Sequence, residues 1–435
     1  MADPQLLANQ ASSLIASLNS VSATRSFGTY SYPKNLRDAN IKAHSVSYST
    51  LLPNSTKALN ARNQFNIPKQ GFMTKAYIRM VLKNPQGTNC IHYSRALAPL
   101  LINEVSLLSQ GRRLFFADGH TILAYASQEP YNSRKSLESA MGLSASASSV
   151  PTVLAGQTIE FFVPVPFHCF NDITASLFTD FYENLTLNVS LGDASQLSTV
   201  GDNVGDANNA SNPTDTAGNL TLETLEVIAE YRRVDSKEEN DIIQYNFADG
   251  NLVQVNMDNI VETNTKTVSN SADQKIDLTF STNRVASQIF LMVDKQSQSD
   301  ASDYVNNRGV FVEIKSIKLT AGGQTILSDN VPAKCLQLLN QHDIDARGIS
   351  HSNFWDAGAR QSCGYIYCIN LGLAKSMKRF SSGVSLRELT SFKAEVTLAS
   401  ATPGAVPHTL TAVIVSPGLM SISSASGRLT QSLNS

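Results

Sequence analysis

The sequence predicts an all-β chain of two tandem sandwiches with short helical insertions. Three observations carry this. Apolar and polar residues alternate with a period of two in segment after segment. The 435 residues exceed what one hydrophobic core usually serves, and one hairpin pattern occurs twice. The hairpin is "VSLLSQGRRLFF" (residues 105–116), two apolar stretches around a Ser-Gln-Gly turn, and its counterpart is "IKLTAGGQTIL" (residues 317–327).

The chain opens with "MADPQLLANQASSLIASL", which reads as a short amphipathic helix. Asp3 suits the cap, Pro4 the first helical position, and Leu7, Ala11, Leu14, Ile15 and Leu18 share a face. No basic leader precedes it, and Asn9, Gln10, Ser12 and Ser13 interrupt what would be the apolar core of a signal peptide, so it does not read as a secretion signal. The apolar face needs a partner: the chain's own body, a neighbouring subunit, or lipid. Lipid ranks last because no basic residue precedes Arg25. Residues 26–60 are irregular and rich in Ser, Tyr and Asn, so residues 1–59 are expected to form a helix and an arm outside the sandwiches. Arg25, Lys34, Arg37, Lys42 and Lys57 against Asp38 give the arm a mild positive bias, which faces nucleic acid or, more simply, solvent.

Strand patterns then dominate. In "FMTKAYIRMVL", Phe72, Ala76, Ile78, Met80 and Leu82 alternate with Lys75, Tyr77 and Arg79; "LTLNVSL" at Leu185, "IDLTF" at Ile276, "FKAEVTL" at Phe392 and "LTAVI" at Leu410 behave alike. The first sandwich is expected over residues 60–235, the second over 236–418, and a tail over 419–435. The boundary falls in "YRRVDSKEEND" (231–241), the densest charge cluster in the chain, as suits an exposed linker. Helical patterns are short: "HTILAYA" from His120 and "AKCLQLLNQ" from Ala333, behind Pro332. Residues 128–156, 193–218, 329–362 and 372–389 lack a pattern and read as excursions from the sheets, rich in Ser, Asn, Ala and Gly. No apolar run approaches the roughly 18 residues of a membrane span, so the chain itself is expected to be soluble.

Sliding the chain so that Gly111 lies on Gly323 pairs Leu100 with Val312, Ile102 with Ile314, Val105 with Ile317, Leu107 with Leu319, Leu114 with Ile326 and Phe115 with Leu327. A slightly smaller shift lays "LTLNVSL" over "FKAEVTL". Alternation alone is common in β chains, and the weight lies in the order: hairpin, short helix, irregular excursion, apolar run and alternating strand recur in sequence, as a duplicated sandwich would leave them. Around eight strand signals per half exceed the needs of an immunoglobulin-like sandwich and suit an eight-stranded jelly roll.

Composition narrows the function. With 34 basic and 36 acidic residues the chain lacks the cationic excess of a phosphate-backbone binder, so no specific nucleic-acid binding is expected. Charged residues make up 16%, below the roughly 25% of an ordinary soluble domain. Such a surface belongs either to a chain covered by neighbours or to a neutral polar monomer. Cys90, Cys169, Cys335, Cys363 and Cys368 show no zinc or disulfide spacing and read as packed thiols of a reducing compartment.

The acid-base or metal groupings on offer are His168 near Asp172, and His342 with Asp343 and Asp345. Neither sits in a nucleophile elbow, a zinc spacing or a phosphate-cradling glycine loop, so no catalytic, cofactor-binding or metal residue is assigned and the chain does not read as an enzyme. In "HSNFWD" (351–356), Phe354 and Trp355 either stack on sugars or anchor a loop by burial, the second being the simpler.

One resemblance ties these features together. "GQTIEFFVPVPFHCFNDITASLFTDFYENLTLNVSL" (156–191) has an apolar strand ending in Pro164-Val165-Pro166-Phe167, an aromatic at Phe170, a loop with Leu177 and Phe178, and then an alternating strand. It resembles the segment closing the first sandwich of the double jelly-roll major capsid proteins of tailless icosahedral DNA viruses, a family spanning membrane-containing phages, adenoviruses and nucleocytoplasmic large DNA viruses. "LINEVSLLSQGRRLFFADG" is similar to that family's strand-turn-strand, and "GYIYCINLGLAKSMKRFSSGVSLRELTSFKAEVTL" (364–398) to its Tyr-rich strand, Ser-Gly loop and following strand. Where large eukaryotic members tend to carry tryptophan after Pro-Phe, this chain has His168 and Cys169.

The resemblance implies a capsid shell subunit, made in the host cytoplasm and residing in the virion. Its homotrimers would be pseudo-hexameric and would meet neighbouring trimers and minor capsid and penton proteins. It also implies an N-terminal helix and arm on the inner side, with possible contact to an internal membrane, and four excursions leaving one end as outer towers. The competing reading is a carbohydrate-binding β-sandwich of a virion or secreted adhesin, with a jelly-roll glycosidase-like enzyme third. A lectin would need a signal sequence or virion context and exposed aromatics or acidic calcium loops, which are sparse here. Deleting residues 1 to 45 is expected to leave trimers intact and to impair shell closure, read by light scattering of the trimer and microscopy of the particles.

Overall fold

The computed structural model describes residues 45–94, 96–129, 131–143, 151–170, 177–201, 213–233, 251–268, 275–295, 311–333, 335–336, 366–372, 383–387, 391–399, 406–423 and 429–432. The first sandwich lays β1 (Ser45–Leu51), β13 (Thr221–Arg233), β3 (Phe72–Lys83) and β8 (Thr158–Pro164) side by side in that order. They face β2 (Arg62–Asn66), β10 (Leu185–Leu191), β5 (Ile102–Ser109) and β6 (Arg112–Ala117). Alternation fills the space between: the cross-strand row Leu51, Val227, Ile78, Val163 of one sheet and the row Phe65, Leu187, Leu107, Phe115 of the other are all buried.

The second sandwich repeats the order strand for strand. β14 (Asn251–Val268), β23 (Val406–Ser423), β17 (Gln288–Lys295) and β20 (Tyr367–Asn370) face β15 (Lys275–Thr279), β22 (Lys393–Leu398), β18 (Ile314–Ala321) and β19 (Gln324–Leu327). Its counterpart row is Leu278, Ala394, Leu319, Leu327. Even the corner repeats. Gln110-Gly111 joins β5 to β6 with φ of 50° and 77°, and Gly322-Gly323 joins β18 to β19 with φ of 54° and 83°. Two positive φ values in a two-residue loop are what a hairpin turn matched to strand twist requires. Both sandwiches are therefore jelly rolls, and the repeated hairpin is the corner between the fourth and fifth of the eight sandwich strands in each.

The connections sort by end. β4 (Cys90–Tyr93) lies between β3 and β5, β7 (Thr152–Val153) between β6 and β8, and β11 (Ser198–Gly201) and β12 (Pro213–Ala217) between β10 and β13; they join as a sheet in the order β12-β11-β4-β7. Excursions 128–156 and 193–218 thus supply strands to this end sheet. The first also holds helix α3 (Tyr131–Ala140), which follows α1 (Leu97–Leu100) and α2 (Gly119–Ser127). Its polar sequence, anchored by Leu137 and Met141, hides the helical period.

Residues 372–389 do not leave by that end. They connect β20 to β22, and antiparallel alternation carries this link to the opposite end, where β21 (Val384–Ser385) pairs with β16 (Val285–Ala286) of the β15–β17 link. β9 (Leu177–Phe178) of the first sandwich pairs with the start of β3 at the matching end.

Two boundaries shift. Ser45–Leu51, expected in the arm, is β1 along β13. Its alternation is inverted, with serines at 45, 47 and 49 and Val46 and Tyr48 exposed, because ladder hydrogen bonds rather than burial hold an edge strand. A truncation that spares β1 therefore ends at residue 44. At the other end β23 runs past 418 to Ser423 and pairs with β24 (Leu429–Ser432), so the expected tail supplies part of a sheet. Ala333, Cys335 and Leu336 are helical as expected, while the rest of that helix, the N-terminal helix and most of the charged linker lie outside the described residues.

The sheet β14-β23-β17-β20 is apolar on both faces. Ile289, Leu291, Val293, Leu410, Ala412 and Ile414 point into its own sandwich. Phe290, Met292, Val413, Val415, Ile366 and Cys368 belong instead to a core continuous with the first sandwich. Against that outward face lie β6, α2 and the turn His168–Phe170. Helix α2 is capped by Asp118, whose carboxylate accepts from Thr121 N (2.8 Å), and it buries Ile122, Leu123, Tyr125 and Ala126, as a helix enclosed by protein does.

Polar groups pin the register. Gln128 Nε2 donates to Gln288 Oε1 (3.4 Å), Gln288 Nε2 to Asn370 Oδ1 (2.5 Å), and Asn259 Nδ2 to the Phe116 carbonyl (3.4 Å). Phe290→Ala is expected to cost about 3–5 kcal/mol of stability in urea unfolding.

Candidate functional site: the uncovered surfaces

The motif Pro164-Val165-Pro166-Phe167 closes the first sandwich. Pro164 ends β8, Val165 N donates to the Ala76 carbonyl (3.0 Å), and the buried Phe167 ring lies 5.4 Å from Phe115 and 5.8 Å from Phe170. His168 follows in a buried 3-10 turn against β3 and β14, so it sits between the two sandwiches rather than in a cleft. Asp172, His342, Asp343, Asp345, Phe354, Trp355 and Cys363 lie outside the described residues.

Among the described residues no group of three or more His, Cys, Asp and Glu side chains is placed to hold a metal, and no helix is long and apolar enough to cross a membrane. Cys90, Cys169 and Cys368 are buried and Cys335 half-buried, none in a disulfide. Burial pushes the Cys169 thiol up and the Cys368 thiol up to about 12, so both stay protonated and unreactive near neutrality.

One buried pair the sequence did not bring forward lies in the end sheet. His92 Nδ1 is 2.9 Å from Thr152 Oγ1, and Cys90 Sγ is 3.7 Å from Nε2. A Cβ on Gly201 would fall 2.2 Å from His92 Nε2, so glycine is required for β11 to close over the ring. The arrangement ties β4 to β7 rather than opening a reaction site.

What remains accessible is broad and flat. On the outward face of β1-β13-β3-β8, Thr50, Ile228, Tyr77 and Pro164 form one cross-strand row, and Glu226, Arg79 and Phe162 the next. Val46 and Tyr48 are exposed on this face and Leu52 just beyond the end of β1, while Tyr77, Val81, Phe162 and Ile228 are half-buried. Arg79 sits between two carboxylates, Nε to Glu160 Oε1 at 2.6 Å and Nη1 to Glu226 Oε2 at 2.8 Å, and these hydrogen bonds raise its pKa. Cross-strand pairing of this kind, with the ion pairs Lys83–Glu223 and Arg232–Glu230 on the same sheet, sets a charge pattern among the apolar side chains of this face. A second accessible edge is β19, exposed from Gln324 to Ile326. A broad surface of mixed apolar and charged side chains suits docking to protein.

No family model and no curated sequence matches the chain. Solved structures do. PBCV-1 VP54, fitted into a reconstruction of the virophage Sputnik, aligns at 13% identity over 90% of this chain and 98% of its own, with a TM-score of 0.66. The Faustovirus major capsid protein aligns at 10% identity over 87% and 90%, TM-score 0.63, and that of mavirus at 11% over 89% and 90%, TM-score 0.53.

The chain has the double jelly-roll fold. Its likeness to these viral major capsid proteins extends over both sandwiches, as the coverage of nine-tenths or nearly so requires. Of the sequence's acid-base groupings only His168 is described, and it is part of the packing between the two halves. The accessible sheet face had no comparable signal, because half-exposed Tyr, Phe and Val on a strand read like any other alternation.

Burial lowers the His92 pKa below its ordinary 6.5. The unfolded chain thus takes up the proton first, and stability present above pH 6.5 falls as pH drops through the depressed folded value. Melting temperature is expected to decline more steeply below pH 6.5 in the parent than in His92→Gln.

Proposed function

We propose that this protein is the major capsid protein of an icosahedral virus, three copies forming a pseudo-hexameric tile of its shell. The observation that carries the reading is the pair of topologically identical jelly rolls locked side by side through a continuous apolar core. Three such chains present six similar wedges around a threefold axis, so the trimer fills a hexagonal lattice site while obeying only threefold symmetry. The likeness of the fold to viral capsid proteins supports the same role. The role is structural rather than catalytic.

Contacts within a trimer would be of the obligate class, on the order of 2,000–5,000 Å² with an apolar centre, and those between trimers smaller and more polar. Weak contacts repeated many times let misplaced tiles leave before closure, and a low charge density keeps tile edges from repelling one another. Penton and minor capsid proteins would fill positions where a six-sided tile cannot. The end sheet β12-β11-β4-β7 would belong to an outer tower, and the N-terminal segment would face inward, toward a membrane where the virus has one.

Light scattering of the purified protein is expected to give three times 47.0 kDa, with six-lobed particles by electron microscopy. A monomer that binds glycans would overturn the reading in favour of a carbohydrate-binding sandwich.

A further inference from the structure

Charged residues of the first sandwich are sorted by end. β3 starts at Phe72, opposite Arg232 and Phe178, and finishes at Lys83, next to Asn84, whose Nδ2 donates to the Val153 carbonyl of the end sheet (3.0 Å). Around the start of β3 stand Lys69 from the β2–β3 link, Lys75, Arg233 at the end of β13, and Arg112 and Arg113 just past the Gln110-Gly111 corner. The corner belongs to this end because Ser109 lies opposite Leu185, whose carbonyl accepts from Ile67 N (3.0 Å) just before Lys69. All five basic residues are exposed.

The acids at this end are engaged locally. Asp180 Oδ2 accepts from Gly71 N (2.9 Å), and the buried Glu230 accepts from Thr74 Oγ1 (2.7 Å) and lies 3.5 Å from Arg232 Nε. Among the described residues Glu183 is the one exposed acid here, and it accepts from Gln110 Nε2. Elsewhere basic residues stand beside carboxylates. At the far end Arg62 lies 3.7 Å from Glu104 and Lys83 3.6 Å from Glu223, and in the second sandwich Arg284 and Lys393 lie 2.6 Å and 3.1 Å from Asp258 and Asp277. The segments joined to the basic end offset each other. From Arg25 to His44, Arg25, Lys34, Arg37 and Lys42 stand against Asp38, and after Arg233, Asp235, Glu238, Glu239 and Asp241 stand against Lys237. A chain of net charge −2 therefore carries a folded end with five exposed cations and one exposed acid.

We propose that this end of the first sandwich binds the phosphate backbone of nucleic acid without regard to sequence. This rests on the capsid reading above, in which the end opposite the outer tower looks into the shell. Arginine supplies Arg112, Arg113 and Arg233, and its planar fork holds phosphate oxygens in pairs. Strands spaced roughly 4.8 Å apart put the five cations within on the order of 20 Å, over which a duplex carries a charge about every 1.7 Å of its axis. Lipid is the poorer fit. Val46 and Tyr48, the exposed large apolar residues nearest this end, stand on the broad face of β1, and a basic surface with no apolar insertion holds a membrane only loosely.

Binding of a short fluorescent DNA duplex to the full chain is measured by anisotropy between about 50 and 200 mM salt. Three to five phosphate contacts correspond to a slope of log affinity on log salt of roughly −3 to −4.5. Arg112→Gln with Arg113→Gln and Arg233→Gln is expected to weaken binding about tenfold or more at the lower salt and to flatten the slope by roughly 2 to 3. Lys57→Gln with Arg62→Gln, exposed at the far end, is expected to match the parent. Circular dichroism melting checks the fold, and Lys69→Gln with Arg233→Gln takes the place of the triple variant if losing Arg113 from over the Phe116 ring (4.9 Å) unsettles it.

No salt-dependent binding by the parent, an unchanged slope in the folded basic-end variants, an equal loss in the far-end variant, or capture on phosphatidylserine vesicles in place of DNA overturns the inference. Light scattering in the same buffer keeps the two readings apart. A protein that assembles in threes and ignores DNA sinks this inference alone, whereas one that does not assemble removes the capsid reading and the inference with it.

Discussion

Burial of one sheet on both faces is the constraint from which the rest of the molecule follows. A sheet in an ordinary sandwich hides one face and wets the other, but β14-β23-β17-β20 hides both, its inward side chains in the second sandwich and Phe290, Met292, Val413 and Val415 against the first. Each such side chain contributes about 1.5–3 kcal/mol when taken fully out of water, so separating the halves would expose a large apolar area at once. Two domains that might have been beads on a string are instead one rigid block. Gln128, Gln288, Asn370 and Asn259 add direction to a contact that apolar burial alone would leave free to slide.

Rigidity of that kind gives the repeated topology its meaning. Two like sandwiches tumbling independently would present no defined outline, whereas two like sandwiches fixed side by side present the same sides twice, at a set angle. Topology then decides what emerges where. In antiparallel sheets every connection alternates ends, so the links before β5, β8 and β13 gather into the sheet β12-β11-β4-β7 while the links holding β9, β16 and β21 gather at the other. One end can be elaborated without disturbing packing at the other, and the broad faces between remain for contact with neighbours.

Legibility in the sequence followed the strength of burial. The hairpins at Gly111 and Gly323 and strands β3, β10 and β22 could be read because one-sided burial imposes a period on the side chains, and the tight turns demand glycine. Helix α2, enclosed by protein, showed instead as a short apolar run. Strand β1 could not, because an edge strand takes its order from the ladder to β13 and can carry serines inward. Helix α3 could not, since among its described side chains Leu137 is the one large apolar group packed against the core. The continuous apolar runs Ile289–Val293 and Ala412–Val415 were a signal of two-sided burial that alternation counts pass over.

By itself the sequence determined the class of fold, its twofold repetition and the corner both halves share, because period-two alternation and turn chemistry are local and survive without knowledge of neighbours. Only the tertiary structure decided that the second sheet is a shared wall, that His168 is buried between the two sandwiches, and that apolar surface is left over at Tyr48, Leu52 and Ile326. Those facts depend on which residue meets which across hundreds of positions, and a side chain's exposure is set by what the rest of the chain places against it.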